Sequence, residues 1–171
     1  MNKKVSFLFI CLFFWASFCL AYEDGTTIFF QNGFFHRPIA RYTGSHMCHI
    51  AIVLHQNGKE YVYESTLRGV QKTPLNIFLT KVIHRQKWNK RLKVYYVKPK
   101  IPYTKNELIK MKTYANSQLG RLYSLRGWWV NREVIGMHCS QYVGNIIGQT
   151  GRITSMRWKE SPISLYRKLT K

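Results

Sequence analysis

The chain has 171 residues, of which 27 are lysine or arginine and seven are aspartate or glutamate, so its formal net charge is +20. This balance excludes an acidic or neutral surface. Hydrophobic residues make up 46% and aromatic residues 15% of the chain, which excludes a disordered polyelectrolyte and favours a single globular domain.

The first 21 residues have the pattern of a secretory signal peptide. Lys3 and Lys4 precede an uncharged run of 17 residues, and Cys19 and Ala21 supply small residues before the predicted cleavage site. We therefore expect export, to the periplasm or out of the cell, and a mature domain over residues 22–171. Cleavage removes two lysines and no acid, which leaves a net charge of +18. The alternative is a retained N-terminal membrane anchor, because 17 residues are near the lower limit for a bilayer span.

Strand patterns come first in the mature chain. A β-branched and aromatic run over residues 26–30 predicts a buried strand. Two β-prone runs, 48–55 and 59–66, flank Asn57-Gly58, a pair that favours a two-residue hairpin turn. The sequence therefore predicts a β-hairpin over 48–66.

Helix signals follow the hairpin. Thr73 is expected to cap a short helix with Pro74 at its first position, and residues 92–97 are expected to form a further strand. Thr104 and Glu107 have the spacing of a capping box and open a predicted helix of about four turns that ends at a glycine, residue 120.

The apolar spacing after Cys139 predicts a last helix that ends at Gly148, with Cys139 at or near its N-terminus. Strands and helices do not alternate regularly along the chain. The predicted fold class is therefore α+β.

The hairpin brings a histidine and a glutamate together. In the register set by its turn, Ala51 faces Glu64 and His49 faces Thr66, so His49 and Glu64 share one face as diagonal neighbours about 7 Å apart at the backbone. A carboxylate at this place would fix the imidazole tautomer and favour its protonated form, which is the task of the orienting member of a catalytic triad.

Cys139 is the candidate nucleophile. The exposed N–H groups of a helix N-terminus stabilise a thiolate, and a nearby protonated histidine does so further. No spacing rule relates Cys139 to His49. The alternative is a Cys48–Cys139 disulfide, because a pair of cysteines in an oxidising compartment is usually bonded; strand alternation, however, predicts that Cys48 points to the face opposite His49.

Six short motifs occur in order over nearly all of the mature chain: Gly25-Thr-Thr-Ile-Phe-Phe, Cys48-His49-Ile-Ala-Ile-Val, Tyr61-Val-Tyr-Glu64, Gly69-Val-Gln-Lys-Thr-Pro-Leu75, Leu119-Gly-Arg-Leu-Tyr123 and His138-Cys139-Ser-Gln-Tyr-Val143. This order resembles the circularly permuted NlpC-type, papain-like cysteine hydrolases of the YiiX/YebB kind. The resemblance implies an antiparallel sheet packed against helices. It also implies a Cys-His-Glu triad with Cys139 as nucleophile, His49 as general base and Glu64 as orienting residue.

Four residues are predicted to bind the substrate: Tyr123, Trp128, Trp129 and His138. Tyr123 ends one of the motifs of the resemblance. Trp128 and Trp129 precede the cysteine segment, where indole rings could line a groove for sugar or acyl groups; their alternative is core packing. His138 adjoins Cys139 and is either a rival base or a neighbour that tunes the pocket.

No metal ion or other cofactor is expected, because the remaining histidines have no companions at metal-ligand spacing. The leading prediction is an exported thiol hydrolase that cleaves an amide or ester bond, with a peptidoglycan peptide amide as substrate. A lipid acyl hydrolase or acyltransferase on the same fold is the second prediction.

A third prediction is a non-enzymatic cationic protein. From Lys81 to Lys112, 11 of 32 residues are lysine or arginine and only Glu107 is acidic, a density that attracts polyanions. The candidate partners are anionic envelope polymers and the membrane surface, since no specific nucleic-acid-binding motif is present. A merely solubilising surface is the alternative.

Overall fold

The computed structural model describes residues 22–33, 36–130, 132, 134–155 and 157–171, with the side chains of Trp128 and Arg157 left out. The predicted signal peptide, residues 1–21, lies outside the described residues. Within the described ranges, no helix combines the length and the apolar character that a membrane span requires.

One five-stranded antiparallel sheet forms the centre of the fold, with the strand order β4-β3-β2-β1-β5. The strands are β1 (Thr27–Gln31), β2 (Met47–Gln56), β3 (Lys59–Thr66), β4 (Gly69–Pro74) and β5 (Lys93–Val97). The helices are α1 (His36–Thr43), α2 (Leu75–Trp88), α3 (Lys105–Ser117), α4 (Arg126–Val130), α5 (Cys139–Gly148) and α6 (Pro162–Thr170), with a short 3-10 helix at Arg157–Lys159. The α+β prediction is confirmed.

Helices cover both faces of the sheet, so the central strand β2 is buried on both sides. Ile50 and Ile52 of β2 pack with residues of α3, α5 and α6 in one core, whereas Ala51 and Val53 pack with residues of α1 and α2 in a second core. Alternate residues of a strand point to opposite faces, which explains why this segment is a continuous apolar run.

The predicted hairpin and its register are confirmed. The β2–β3 ladder runs from the pair Gln56–Lys59 to the pair Ala51–Glu64. Asn57 has φ +51° and Gly58 has φ +71°, as a two-residue hairpin turn requires. The further predicted pair of His49 with Thr66 lies beyond this ladder, which ends at the pair Ala51–Glu64.

The start of α2 differs from the prediction. Thr73 does not cap this helix, because its backbone belongs to the β3–β4 ladder, where it pairs with Val62. Pro74 is the residue that caps α2, without a side-chain hydrogen bond, and the helix continues for 14 residues rather than ending as a short turn. The strand pattern of Thr73 therefore prevails over its capping preference.

The two later helices begin as predicted. Thr104 and Glu107 form a reciprocal capping box at the start of α3, which ends three residues before Gly120. Cys139 is the first residue of α5, and Gly148 is its last. The nucleophile candidate thus lies at a helix N-terminus.

Candidate active site

A glutamate and a histidine form the best-defined polar pair of the site. Nε2 of His49 lies 2.7 Å from Oε2 of Glu64. The side-chain amide of Gln71, which pairs with Glu64 across the β3–β4 ladder, donates to the other carboxylate oxygen at 3.0 Å. Burial favours a raised pKa for the Glu64 carboxyl, but the hydrogen bond and charge of His49, the Gln71 bond and the charge of Arg85 together lower that pKa. Glu64 is therefore a buried carboxylate with both oxygens engaged.

A β-bulge sets the position of His49 on its strand. The β1–β2 ladder pairs Phe30 with His49 and the next residue, Gln31, with Met47, so Cys48 is an extra residue on β2. The bulge also brings the His49 ring against Phe30, with ring centroids 5.5 Å apart.

Cys48 does not lie where strand alternation predicts, and the bulge is the reason. It packs in the same core as Ala51 and Val53, on the side of the sheet that His49 shares. Its sulfur accepts a hydrogen bond from the N–H of Gly33 at 3.2 Å and donates to the carbonyl of Phe30 at 3.4 Å. Cys48 and Cys139 are both free thiols, so the alternative of a disulfide between them is not formed.

Cys139 and His49 meet at the N-terminus of α5. The thiol is 4% exposed, and burial favours a raised pKa for it. The charge and hydrogen bond of His49, the backbone N–H of Ile50 and the side chain of Ser140 outweigh burial, so the pKa of Cys139 is lowered.

The pKa of the His49 imidazole shifts in the opposite direction to that of the Cys139 thiol. Burial favours a lowered pKa for His49, but the charge and hydrogen bond of Cys139, followed by those of Glu64, raise it to about 10. Because Nε2 is engaged by Glu64, the nitrogen left for the thiol is Nδ1. The arrangement favours a thiolate beside an imidazolium.

His138 has a different place from the one expected of a substrate-binding residue. It is 1% exposed and caps α5, because its Nδ1 accepts the N–H of Gln141 at 3.2 Å. Its Nε2 lies 2.9 Å from the carbonyl oxygen of Trp158 and donates to it in the tautomer that leaves Nδ1 as an acceptor. Both ring nitrogens are thus used inside the fold, and burial lowers the pKa of His138.

Tyr123 is the predicted substrate residue that the fold brings to the thiol. Burial and the negative charge of Cys139 raise the pKa of its hydroxyl. The N–H of Met137 donates to the carbonyl of Leu122 at 2.9 Å and holds this segment beside the start of α5. A Cβ on Gly136 would lie 2.4 Å from the Cβ of Ser124, so the two segments approach as closely as only glycine allows.

Tyr123 lines two cavities. The larger, of about 500 Å³, also has Arg126 and Arg132 in its wall. The smaller, of about 90 Å³, has an apolar wall that includes Tyr42 and Trp129. Cys139, His49 and Glu64 do not themselves line these cavities, so Tyr123 is the link between them and the thiol.

The structure describes the side chain of only one of the two α4 tryptophans that were predicted to bind the substrate. Trp129 is 68% exposed and lies over Tyr42, with ring centroids 6.4 Å apart, so it is a cavity wall rather than a core residue. The side chain of Trp128 is outside the described part of the structure.

Sequence reasoning missed three participants. Gln71 could have been found by extending the register from β3 into β4, since Glu64 and Gln71 are direct partners. The contacts of the Ile50 N–H and of Ser140 with the thiol depend on tertiary packing, and no sequence pattern indicates them.

Comparison with known proteins adds the fold relationship. No family model matches the chain, and no curated protein matches it either. Among solved structures, the chain is similar to one described as the metalloprotein YiiX from Escherichia coli O157:H7, DUF1105, with 22% identity and a TM-score of 0.58 over 80% of this chain and 68% of that chain. The fold is YiiX-like. That part of the predicted resemblance is confirmed, whereas the permuted NlpC-type relationship stays a prediction.

Proposed function

We propose that this protein is a cysteine hydrolase that cleaves an amide or ester bond. The observation that carries the proposal is the contact between the Cys139 thiol and an imidazole whose other nitrogen is held at 2.7 Å by Glu64. A nucleophile, a base and an orienting carboxylate in this order are the parts that acyl transfer through a thiol requires.

The proposed reaction starts from the thiolate and the imidazolium. The thiolate of Cys139 attacks the carbonyl carbon, and the imidazolium of His49 gives its proton to the leaving nitrogen or oxygen as the bond to carbon breaks. A water then attacks the resulting thioester and gives a proton to the neutral imidazole, which restores the thiolate and releases the acid.

The negative charge on the carbonyl oxygen needs hydrogen-bond donors during each attack. In the first turn of α5, the His138 ring caps the N–H of Gln141. The earlier N–H groups of Cys139 and Ser140 are the candidates for this task, because first-turn N–H groups have no acceptor within their own helix. Glu64 keeps the imidazole oriented throughout and stays ionised.

The larger cavity supports a substrate with a negatively charged group near the scissile bond. Among the described residues of its wall, Arg126 and Arg132 are the charged ones, and guanidinium groups bind carboxylates in a bidentate manner. Stem peptides of peptidoglycan carry free carboxylates. Together with the predicted export, this favours a peptidoglycan peptide amide as the substrate.

A second candidate is a lipid acyl hydrolase or acyltransferase, which the smaller cavity favours. Its wall includes the exposed apolar side chains of Tyr42, Leu67 and Trp129. A volume of about 90 Å³ fits only a short apolar segment, so most of a long acyl chain would lie along the surface.

A metal ion does not enter this proposal, although the structural neighbour is described as a metalloprotein. The described residues contain no group of three or more histidine, cysteine, aspartate or glutamate side chains that could hold one. The donor set needed for a metal site is therefore not assembled in the described part of the chain, and no step is assigned to a metal.

The test is turnover of purified peptidoglycan fragments and of short-chain phospholipids by the wild type, C139A and H49A. Either variant should lose at least about 10³-fold in kcat while it stays folded. C48A is the matched control, because it removes the other buried thiol and should retain activity. If C139A turns over a substrate as fast as the wild type does, the mechanism is ruled out. Product analysis on the two substrates separates the two candidate functions.

A further inference from the structure

On the side that faces away from the core, helix α2 carries an exposed stripe in which two large apolar side chains lie on either side of a lysine and a histidine. Its buried side consists of Leu75, Phe78 and Val82. Residues 77, 81, 84 and 88 follow the helical spacing i, i+4, i+7 and i+11 and share the opposite side. Trp88 is 90% exposed and Ile77 is 47% exposed, although both are large apolar residues.

Cations surround this stripe without acidic neighbours in sequence. The chain has no aspartate or glutamate between Glu64 and Glu107. None of the ion pairs found among the described residues involves a cation of α2. We call six exposed residues of this helix the α2 patch: Ile77, Lys81, His84, Arg85, Lys87 and Trp88.

We infer that the α2 patch docks the protein onto the surface of a bilayer that contains anionic phospholipids. The indole of a tryptophan prefers the headgroup level of a membrane, where its apolar body and polar N–H are both satisfied. Lysine and arginine beside it attract anionic headgroups. A helix whose outer face carries large apolar side chains among cations is suited to lie against the interface.

The combination of side chains distinguishes this partner from simpler explanations. A cationic surface that only maintains solubility has no need for a tryptophan that is 90% exposed. A soluble polyanion would be attracted by Lys81, Arg85 and Lys87 alone, whereas the exposed apolar side chains gain free energy only where water is excluded. The bilayer interface offers both a negative charge and an apolar phase.

The first test measures binding of the predicted mature domain, residues 22–171, to vesicles of phosphatidylcholine, alone or mixed with phosphatidylglycerol. Binding should require the anionic lipid. K81Q/K87Q should weaken it about 25-fold, since each cation near an anionic surface contributes about 1 kcal/mol, or about fivefold. K105Q/K110Q on α3 is the matched control: it removes the same charge from exposed positions and should change binding less than about twofold, because charges beyond a Debye length from the surface are screened. Equal weakening by the two double variants would overturn the inference.

The second test separates the bilayer from a soluble polyanion. W88A should weaken vesicle binding at every salt concentration, whereas W129A, which removes another exposed tryptophan, should not. Dextran sulfate serves as the soluble polyanion, and its binding should not depend on Trp88. If W88A leaves vesicle binding unchanged, or weakens dextran sulfate binding as much, the inference is wrong. C139A should bind vesicles like the wild type, so this result is independent of the proposed hydrolase activity.

Discussion

Glu64 and His49 are joined at 2.7 Å by a hydrogen bond that links two adjacent strands of the sheet and fixes which nitrogen of the imidazole faces the thiol. The bond depends on the hairpin register, since a slip of one residue would turn Glu64 to the opposite face. It also depends on the bulge at Cys48, which sets where His49 lies on β2.

Glu64→Gln tests what the negative charge of this carboxylate contributes. The amide keeps the size of the side chain but cannot stabilise an imidazolium, so we expect kcat for hydrolysis to fall by about 10²–10⁴-fold. Folding should be little changed, because Gln71 can still donate to the side-chain oxygen. Glu60→Gln on the same strand is the control. Steady-state kinetics of both variants decide, and a wild-type kcat in E64Q would show that the negative charge of Glu64 does not contribute to catalysis.

The pH dependence of thiol alkylation tests the thiolate–imidazolium pair. The pKa of Cys139 is lowered and that of His49 is raised to about 10, so the thiolate should react with iodoacetamide at lower pH than an ordinary cysteine does. In H49A the lowering interactions of the ring are lost while burial still raises the pKa of the thiol. The rise in the alkylation rate of Cys139 with pH should therefore occur at higher pH in H49A than in the wild type. Mass spectrometry of the peptide that contains Cys139 gives the rates, and identical profiles in the two proteins would exclude the pair.

Local sequence patterns predict much of the site. The Asn57-Gly58 turn determines the β2–β3 register. In this register Glu64 pairs with Ala51, which lies two residues from His49 on the same strand. The spacing after Cys139 predicts its helix N-terminus correctly. These features follow from turn chemistry and periodicity, which act over only a few residues.

The parts that sequence could not give are long-range. Nothing in the spacing brings Cys139 to His49, because their contact depends on how α5 packs on the sheet. The bulge at Cys48 also has no local signature, and it is the reason why simple alternation misplaces that cysteine. The capping role of His138 depends on the carbonyl of Trp158, 20 residues away.

Gly136→Ala tests the close approach that holds Tyr123 next to the thiol. The added Cβ would lie 2.4 Å from the Cβ of Ser124 and 2.9 Å from the carbonyl oxygen of Leu122, so the segments must separate. We expect a loss of about 1–3 kcal/mol in the free energy of unfolding and faster alkylation of Cys139 as Tyr123 moves away.

Gly148→Ala is the control for this substitution. Gly148 is the last residue of α5, and its added Cβ would lie 3.5 Å from the Cβ of Ser155, an ordinary contact distance. Urea denaturation should show little or no destabilisation there. Equal stability of the G136A and G148A variants would show that the segment around Tyr123 is not held as tightly as the structure indicates.

Alkylation by two reagents of similar size tests the charge preference of the larger cavity. Iodoacetate carries a carboxylate and iodoacetamide does not, so the ratio of their rates at Cys139 reports the local field. R126Q/R132Q should lower this ratio about threefold, because each exposed guanidinium contributes less than about 1 kcal/mol to a charge pair. K81Q/K87Q removes the same total charge from α2, whose residues do not line the cavity, and should leave the ratio unchanged. The imidazolium of His49 is present in all three proteins, so its effect on the ratio is the same in each. If the α2 variant lowers the ratio as much, the preference belongs to the net charge of the protein, and the two arginines do not select an anionic substrate.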